Sequence, residues 1–156
     1  MIFHVSIDAR EPERVARVLA ELMGGEATPF PPVARGSWLA HADDEYNTLV
    51  EVYPAGTQLV EAEGDADFTG EPGPLAPSAT HFALGTRLSQ AEIFAIAARE
   101  GWPAKYRKRG GAFGVIELWI EGGRVVELLT DEMQAEYLHT MTLPGWAEVL
   151  EGGVPA

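Results

Sequence analysis

Ile2-Phe3-His4-Val5-Ser6-Ile7 is answered 77 residues later by Thr80-His81-Phe82-Ala83-Leu84. In both stretches a histidine interrupts an apolar run, and the alternation predicts a strand. Phe3, Val5 and Ile7 fall on one face of the first strand, and His4, Ser6 and Asp8 on the other. In the second, Phe82 and Leu84 oppose His81 and Ala83. Working outward, Leu49-Val50-Glu51-Val52-Tyr53 leads through Gly56 to Leu59-Val60-Glu61. Val115-Ile116-Glu117-Leu118-Trp119 leads through Gly122 to Val125-Val126-Glu127. The glutamates of each hairpin are ten residues apart in both places. A repeat of this size points to two copies of one supersecondary unit. A metal ion prefers four donors to two, so repeated His and Glu are candidate ligands.

Between each His strand and its hairpin lies a helix signal. Glu11-Pro12 opens the first helix, with Pro at a position where its missing N–H costs nothing. Val15, Val18, Leu19 and Leu22 give an apolar face, and Gly24-Gly25 ends it. Ser89-Gln90-Ala91-Glu92 is a capping box for the second, with Ile93, Ile96 and Ala97 as its face and Gly101 as its stop. The helices repeat at a shift of 77 residues and the glutamate pairs at 66. That difference predicts an eleven-residue insertion in module one, within Ala27 to Asn47. Each copy reads strand, helix, then three strands. Module one is expected to use Ser37–Ala42, Thr48–Tyr53 and Thr57–Glu63, and module two Ala104–Lys108, Gly114–Ile120 and Arg124–Thr130. The chain thus divides into module one over 1–63, a Pro- and Gly-rich linker over 64–78, module two over 79–130 and a helical extension over 131–156. Asp131 is the expected cap of the first helix of that extension.

Composition narrows the chemistry. The 156 residues suit one domain with a sizeable core. There is no cysteine, so a metal site has only His, Asp and Glu to draw on. A formal charge of −13 argues against nucleic acid and anionic membrane as partners. The N-terminus lacks the basic and apolar regions of a signal peptide, and the cytoplasm is the expected compartment.

The doubled βαβββ pattern resembles the vicinal oxygen chelate superfamily, which includes glyoxalase I, extradiol dioxygenases, methylmalonyl-CoA epimerase and the fosfomycin and bleomycin resistance proteins. The resemblance covers roughly Ile2 to Thr130, and Arg124-Val125-Val126-Glu127-Leu128-Leu129 is its best local match. It implies an α+β fold of two tandem modules, a mixed sheet curled around a cavity and helices on the outer face. It implies one divalent ion (Zn, Ni, Fe, Mn or Co) held by His4, Glu61, His81 and Glu127. Glu127 or Glu61 would serve as general base. The implied activity is that of a metal-dependent lyase, isomerase or dioxygenase on a small oxygen-bearing substrate. The alternative is a non-enzymatic small-molecule binding protein of the same fold. Homodimerisation is expected, and the residues leave open whether modules pair within one chain or between two. Bacterial glyoxalase I has an arginine four residues after its first His. Asp8 stands there in this chain, which points away from a glutathione thiohemiacetal.

Other candidates are weighed beside plainer roles. Glu51 and Glu117 are read as equivalent strand residues, and Glu63 as a rival of Glu61. Lys105-Tyr106-Arg107-Lys108-Arg109 reverses the local charge. It reads as an edge strand kept soluble by charge, or as a clamp for an anionic substrate formed by Arg107 and Arg109 with Tyr106 and Trp119 beside it. Trp38, Tyr53 and Phe113 are read mainly as core, and His41 and His139 as ordinary polar residues.

Overall fold

A computed structural model of the chain describes residues 2–30, 34–60, 63, 67–69 and 73–152. It forms two compact units, Met1–Ala79 and Thr80–Ala156. In the first, β1 (His4–Ala9) leads to α1 (Pro12–Met23), then β2 (Glu26–Pro29), β3 (Trp38–His41) and β4 (Leu49–Pro54). The sheet order is β1-β4-β3-β2, with β1 and β4 parallel and the other neighbours antiparallel. A separate hairpin follows, β5 (Gln58–Val60) paired with β6 (Asp67–Thr69).

The second unit repeats this path. It runs through β7 (His81–Gly85), α2 (Gln90–Glu100), β8 (Ala104–Arg109), β9 (Phe113–Ile120) and β10 (Arg124–Leu129). Its sheet order is β7-β10-β9-β8, and β7 and β10 are again parallel. The chain has an α+β fold of two tandem βαβββ modules. Helices α3 (Asp131–Thr140) and α4 (Leu143–Glu151) complete the second unit.

The helices form where the sequence prescribes them. Pro12 sits in the first turn of α1, and Ser89 and Glu92 close a reciprocal capping box on α2. Gly24 and Gly101 both adopt left-handed φ, 81° and 71°, and each donates its N–H back to the last turn. A side chain there would be strained, which explains glycine at both stops. Thr130, not Asp131, is the N-cap of α3; Asp131 contributes first-turn charge instead.

Alternation decides what each sheet buries. In module one, Ile7, Ala9, Ala40, Val50 and Val52 are buried, together with Val15, Val18, Leu19 and Leu22 of α1, which packs on β2, β3 and β4. In module two, Ile116, Leu118, Ile120, Val126 and Leu128 are fully buried, as is Ile93 of α2. Each of the buried valine, leucine and isoleucine side chains contributes about 1.5–3 kcal/mol. The apolar face of module one starts at Val5, since Phe3 lies before the strand and is 58% exposed. The opposite face of each sheet carries the histidines.

Two expectations change. The strand that closes module one beside β1 is Leu49–Pro54, not Thr57–Glu63. The missing member of the trio is β2, whose four residues Glu26-Ala27-Thr28-Pro29 give little alternation to detect. With β4 as the closing strand, His4 pairs with Leu49 and His81 with Val125. These closing strands are 76 residues apart and the His strands 77, so the eleven-residue insertion disappears. The stretch read as a linker also carries β6, one strand of the hairpin.

Candidate functional site

Parallel pairing puts His4, Ser6 and Asp8 of β1 beside Leu49, Glu51 and Tyr53 of β4 on one face. The Ser6 hydroxyl donates to Glu51 Oε2 at 2.6 Å, and the Tyr53 hydroxyl donates to the same oxygen at 2.6 Å. His4 Nε2 lies 3.9 Å from that oxygen. Two short bonds to a charged acceptor fix the carboxylate without neutralising it. Burial pushes the Tyr53 phenol up to about 12, helped by its bond to Glu51 and by the carboxylate's charge. Tyr53 therefore stays a donor at physiological pH. His41 shares this face through its register with Leu49, and Thr28 Oγ1 lies 3.0 Å from its Nε2.

In module two the same construction places His81 beside Val125 and Ala83 beside Glu127. Antiparallel pairing adds Trp119 opposite Val125 and Glu117 opposite Glu127. β8 contributes Lys105 opposite Glu117, then Arg107 and Arg109 further along the same face. Arg109 Nη2 donates to Glu117 Oε1 at 2.7 Å and also to Glu127 Oε1. Arg107 Nε donates to Glu117 Oε2 at 3.2 Å. The Arg109 guanidinium is held above its ordinary range by its bond to Glu127, against the opposing effect of burial, and Glu117 adds to the rise. Burial alone would raise Glu117, but its bonds to Arg107 and Arg109 outweigh this and hold it below the usual carboxylate range.

The register settles the equivalences. Glu51 stands two residues after the partner of His4, and Glu127 two residues after the partner of His81. Glu51, not Glu61 or Glu117, is thus the positional counterpart of Glu127. Leu39 is the counterpart of Glu117, because each lies opposite that glutamate on the next strand. Glu61 lies outside the described residues. The strand preceding it, β5, pairs with β6 and not with β1. Glu63 is exposed.

The remaining candidates separate. Trp119 is 40% exposed on the His81 face. Tyr106 is on the opposite face, in register with Ile116, and its ring lies over Gly114. It is therefore removed from Arg107, Arg109 and Trp119. Trp38 faces α1, where the Arg17 guanidinium sits 5.0 Å from its ring centroid. Phe113 meets Tyr137 of α3 edge to face, with centroids 5.1 Å apart. The edge-strand reading of β8 holds, since β8 is the last strand in its sheet. Its cations are also paired: Lys108 reaches Glu136 of α3 at 2.6 Å.

Each module offers an imidazole and a carboxylate on adjacent strands of one face. Ligand bonds of about 2.1 Å put two donors of a tetrahedral ion roughly 3.4 Å apart. The 3.9 Å between His4 Nε2 and Glu51 Oε2 is within a small rotamer adjustment of that span. In module two a cation at Glu127 has to replace Arg109. Among the described residues, no group of three or more His, Cys, Asp or Glu side chains comes together to hold a metal ion. Each pair offers one nitrogen and one oxygen donor, a mixture suited to Zn, Ni, Fe, Mn or Co.

The sequence matches no family model and no curated protein. Solved structures do match in fold. The trypanothione-dependent glyoxalase I of Leishmania major aligns over 99% of both chains at 18% identity, with a TM-score of 0.53. A lactoylglutathione lyase from Agrobacterium tumefaciens aligns over 82% of this chain and 91% of its own at 14% identity, with a TM-score of 0.50. The chain shares the fold of these glyoxalase structures. No helix among the described residues is long and apolar enough to cross a membrane.

Proposed function

We propose that the protein is a metal-dependent enzyme of the vicinal oxygen chelate type, a lyase, isomerase or dioxygenase acting on a small oxygen-bearing substrate. The observation that carries this reading is the imidazole–carboxylate pair at the same register position in both modules, His4 with Glu51 and His81 with Glu127. These four side chains would hold one divalent ion, with Glu51 in the role first given to Glu61. The ion, when bound, supplies Lewis-acid stabilisation of negative charge developing on a substrate oxygen. The chain's own residues do the rest. Ser6 and Tyr53 orient Glu51 through Oε2, so its other oxygen is the one to take or return a proton. Glu127 is the second candidate base. Arg107 and Arg109 bind an anionic group of the substrate, and Trp119 supplies an apolar surface beside His81. The protein acts as a homodimer in the cytoplasm.

Metal analysis of protein purified without chelator tests this reading. His4→Ala and His81→Ala are each expected to lower bound metal at least ~10-fold. Unchanged metal content in both variants would remove the assignment. The Arg109–Glu127 pair favours a second reading, because it gives module two a cation of its own. Under that reading the protein is a metal-independent small-molecule binder. Metal-free protein would then bind anionic ligands as tightly as metal-loaded protein.

A further inference from the structure

Module two's polar face holds more positive than negative side chains in a chain of charge −13. Lys105, Arg107 and Arg109 share it with Glu117 and Glu127. The distribution is uneven in exposure as well. The Glu117 and Glu127 side chains are each 12% exposed, whereas Arg109 is 41% and Arg107 48% exposed. The carboxylates sit low on the sheet, and the guanidinium groups reach from the edge strand over them to solvent.

Arg109 occupies a special place in this network. One nitrogen, Nη2, serves both Glu117 and Glu127. Glu117 has a second cation in Arg107. If Arg109 leaves Glu127, Glu117 still holds it and keeps Arg107 as well, and Glu127 alone is left in need of a cation. The guanidinium has five donors in a planar fork and needs few of them for Glu117. The remaining edge matches two oxygens of a carboxylate, sulfate or phosphate group.

We propose that Arg109 is shared between Glu127 and an anionic group of the substrate, so that anion binding and divalent-cation binding reinforce each other. The inference rests on Glu127 being a metal ligand, as proposed above. An anion that draws Arg109 away exposes the charge of Glu127 to a cation. A cation that takes Glu127 releases Arg109 to the anion. Linkage makes the two effects equal in size. The substrate class that follows is a small molecule bearing an oxyanion next to its metal-binding oxygen. A purely structural ion pair fastening the edge strand would give no such coupling.

Nickel(II) titration of the whole chain by calorimetry tests this, in sulfate and in chloride at equal ionic strength. Wild-type protein is expected to bind nickel ~5- to 10-fold more tightly in sulfate. Arg109→Gln is expected to bind nickel more tightly than wild type in chloride and to lose the sulfate effect. Lys108→Gln removes a cation of the same strand that pairs with Glu136 and not with Glu127, and should keep the sulfate effect. If Arg109→Gln does not fold, Arg109→Lys replaces it; its single ammonium should reduce the effect. A sulfate effect absent from wild type, or persisting in the Arg109 variant, overturns the proposal. Glu127→Gln separates the two levels. If it weakens nickel binding while wild type lacks a sulfate effect, only the sharing is wrong. If it leaves nickel binding unchanged, or wild type binds no nickel, the metal-ligand reading fails and the coupling with it.

Discussion

Glu51 and Glu127 occupy the same register position in two copies of one module, yet they are held by opposite means. In module one the carboxylate takes hydroxyls from its own and the outer strand, Tyr53 and Ser6. In module two the corresponding positions are Leu129 and Ala83, which have no hydroxyl to give. The partner comes instead from the other side of the sheet, where Glu117 replaces Leu39 and brings Arg109 with it. A neutral cradle keeps the charge of Glu51 available. A guanidinium cancels that of Glu127. The two modules thus share the position of the carboxylate and differ in what surrounds it, hydroxyls at Glu51 and a cation at Glu127.

The sharpest way to break the comparison is at the shared scaffold. Leu19 and Ile93 are both fully buried on the first helix of their modules. Leu19→Ala and Ile93→Ala should each cost about 2–5 kcal/mol in urea unfolding. A much smaller cost in one of them would mean that the two modules do not share a packing plan. Next in size is Arg109→Met, which leaves Glu117 and Glu127 facing each other across the register. Loss of a fully buried partner costs about 3–5 kcal/mol. Arg109 is 41% exposed, so solvent screening lowers the expected loss to about 1–2 kcal/mol. Ser6→Ala and Tyr53→Phe should each cost about 1 kcal/mol, and less than additively together, because both bond one oxygen.

The smallest effects are in pH, and they differ in direction between modules. Glu117 titrates below the usual carboxylate range when folded. In the acid window the unfolded chain binds the extra proton, so the contribution of Glu117 is full at neutral pH and falls away below about pH 4. Arg109→Met should flatten that acid limb in urea midpoints measured against pH. Tyr53 is raised to about 12. Its contribution is full below about pH 10 and is lost as pH rises through the folded value. Tyr53 should therefore ionise late by ultraviolet absorbance, and Tyr53→Phe should remove that late step.

Much of this was legible in the sequence, and the exceptions have physical causes. The His strands, both helices and their glycine stops are written in local signals: alternation, a capping box and left-handed φ. All three later strands of module two run for six residues or more, and this length makes them legible. β2 has four residues and no apolar pattern, so alternation alone places the trio of module one a strand too late. That shift exchanged Glu51 for Glu61. The signal that corrects it is chain offset: His4 to Glu51 and His81 to Glu127 differ by one residue, whereas the choice of Glu61 required an insertion of eleven. The Ser6–Glu51 bond joins residues 45 apart in sequence, and the Arg109 bridge spans three strands of one sheet, so the register is needed to bring either together.

The decisive measurement sets Glu51→Gln against Glu61→Gln in a metal-binding titration with nickel(II), with wild type and His4→Ala for reference. Wild type is expected to bind one ion per chain. Glu51→Gln and His4→Ala should lose at least ~10-fold in affinity while Glu61→Gln binds as wild type does. Retention of binding by Glu51→Gln and its loss in Glu61→Gln would contradict the equivalence of Glu51 and Glu127 on which the whole account stands.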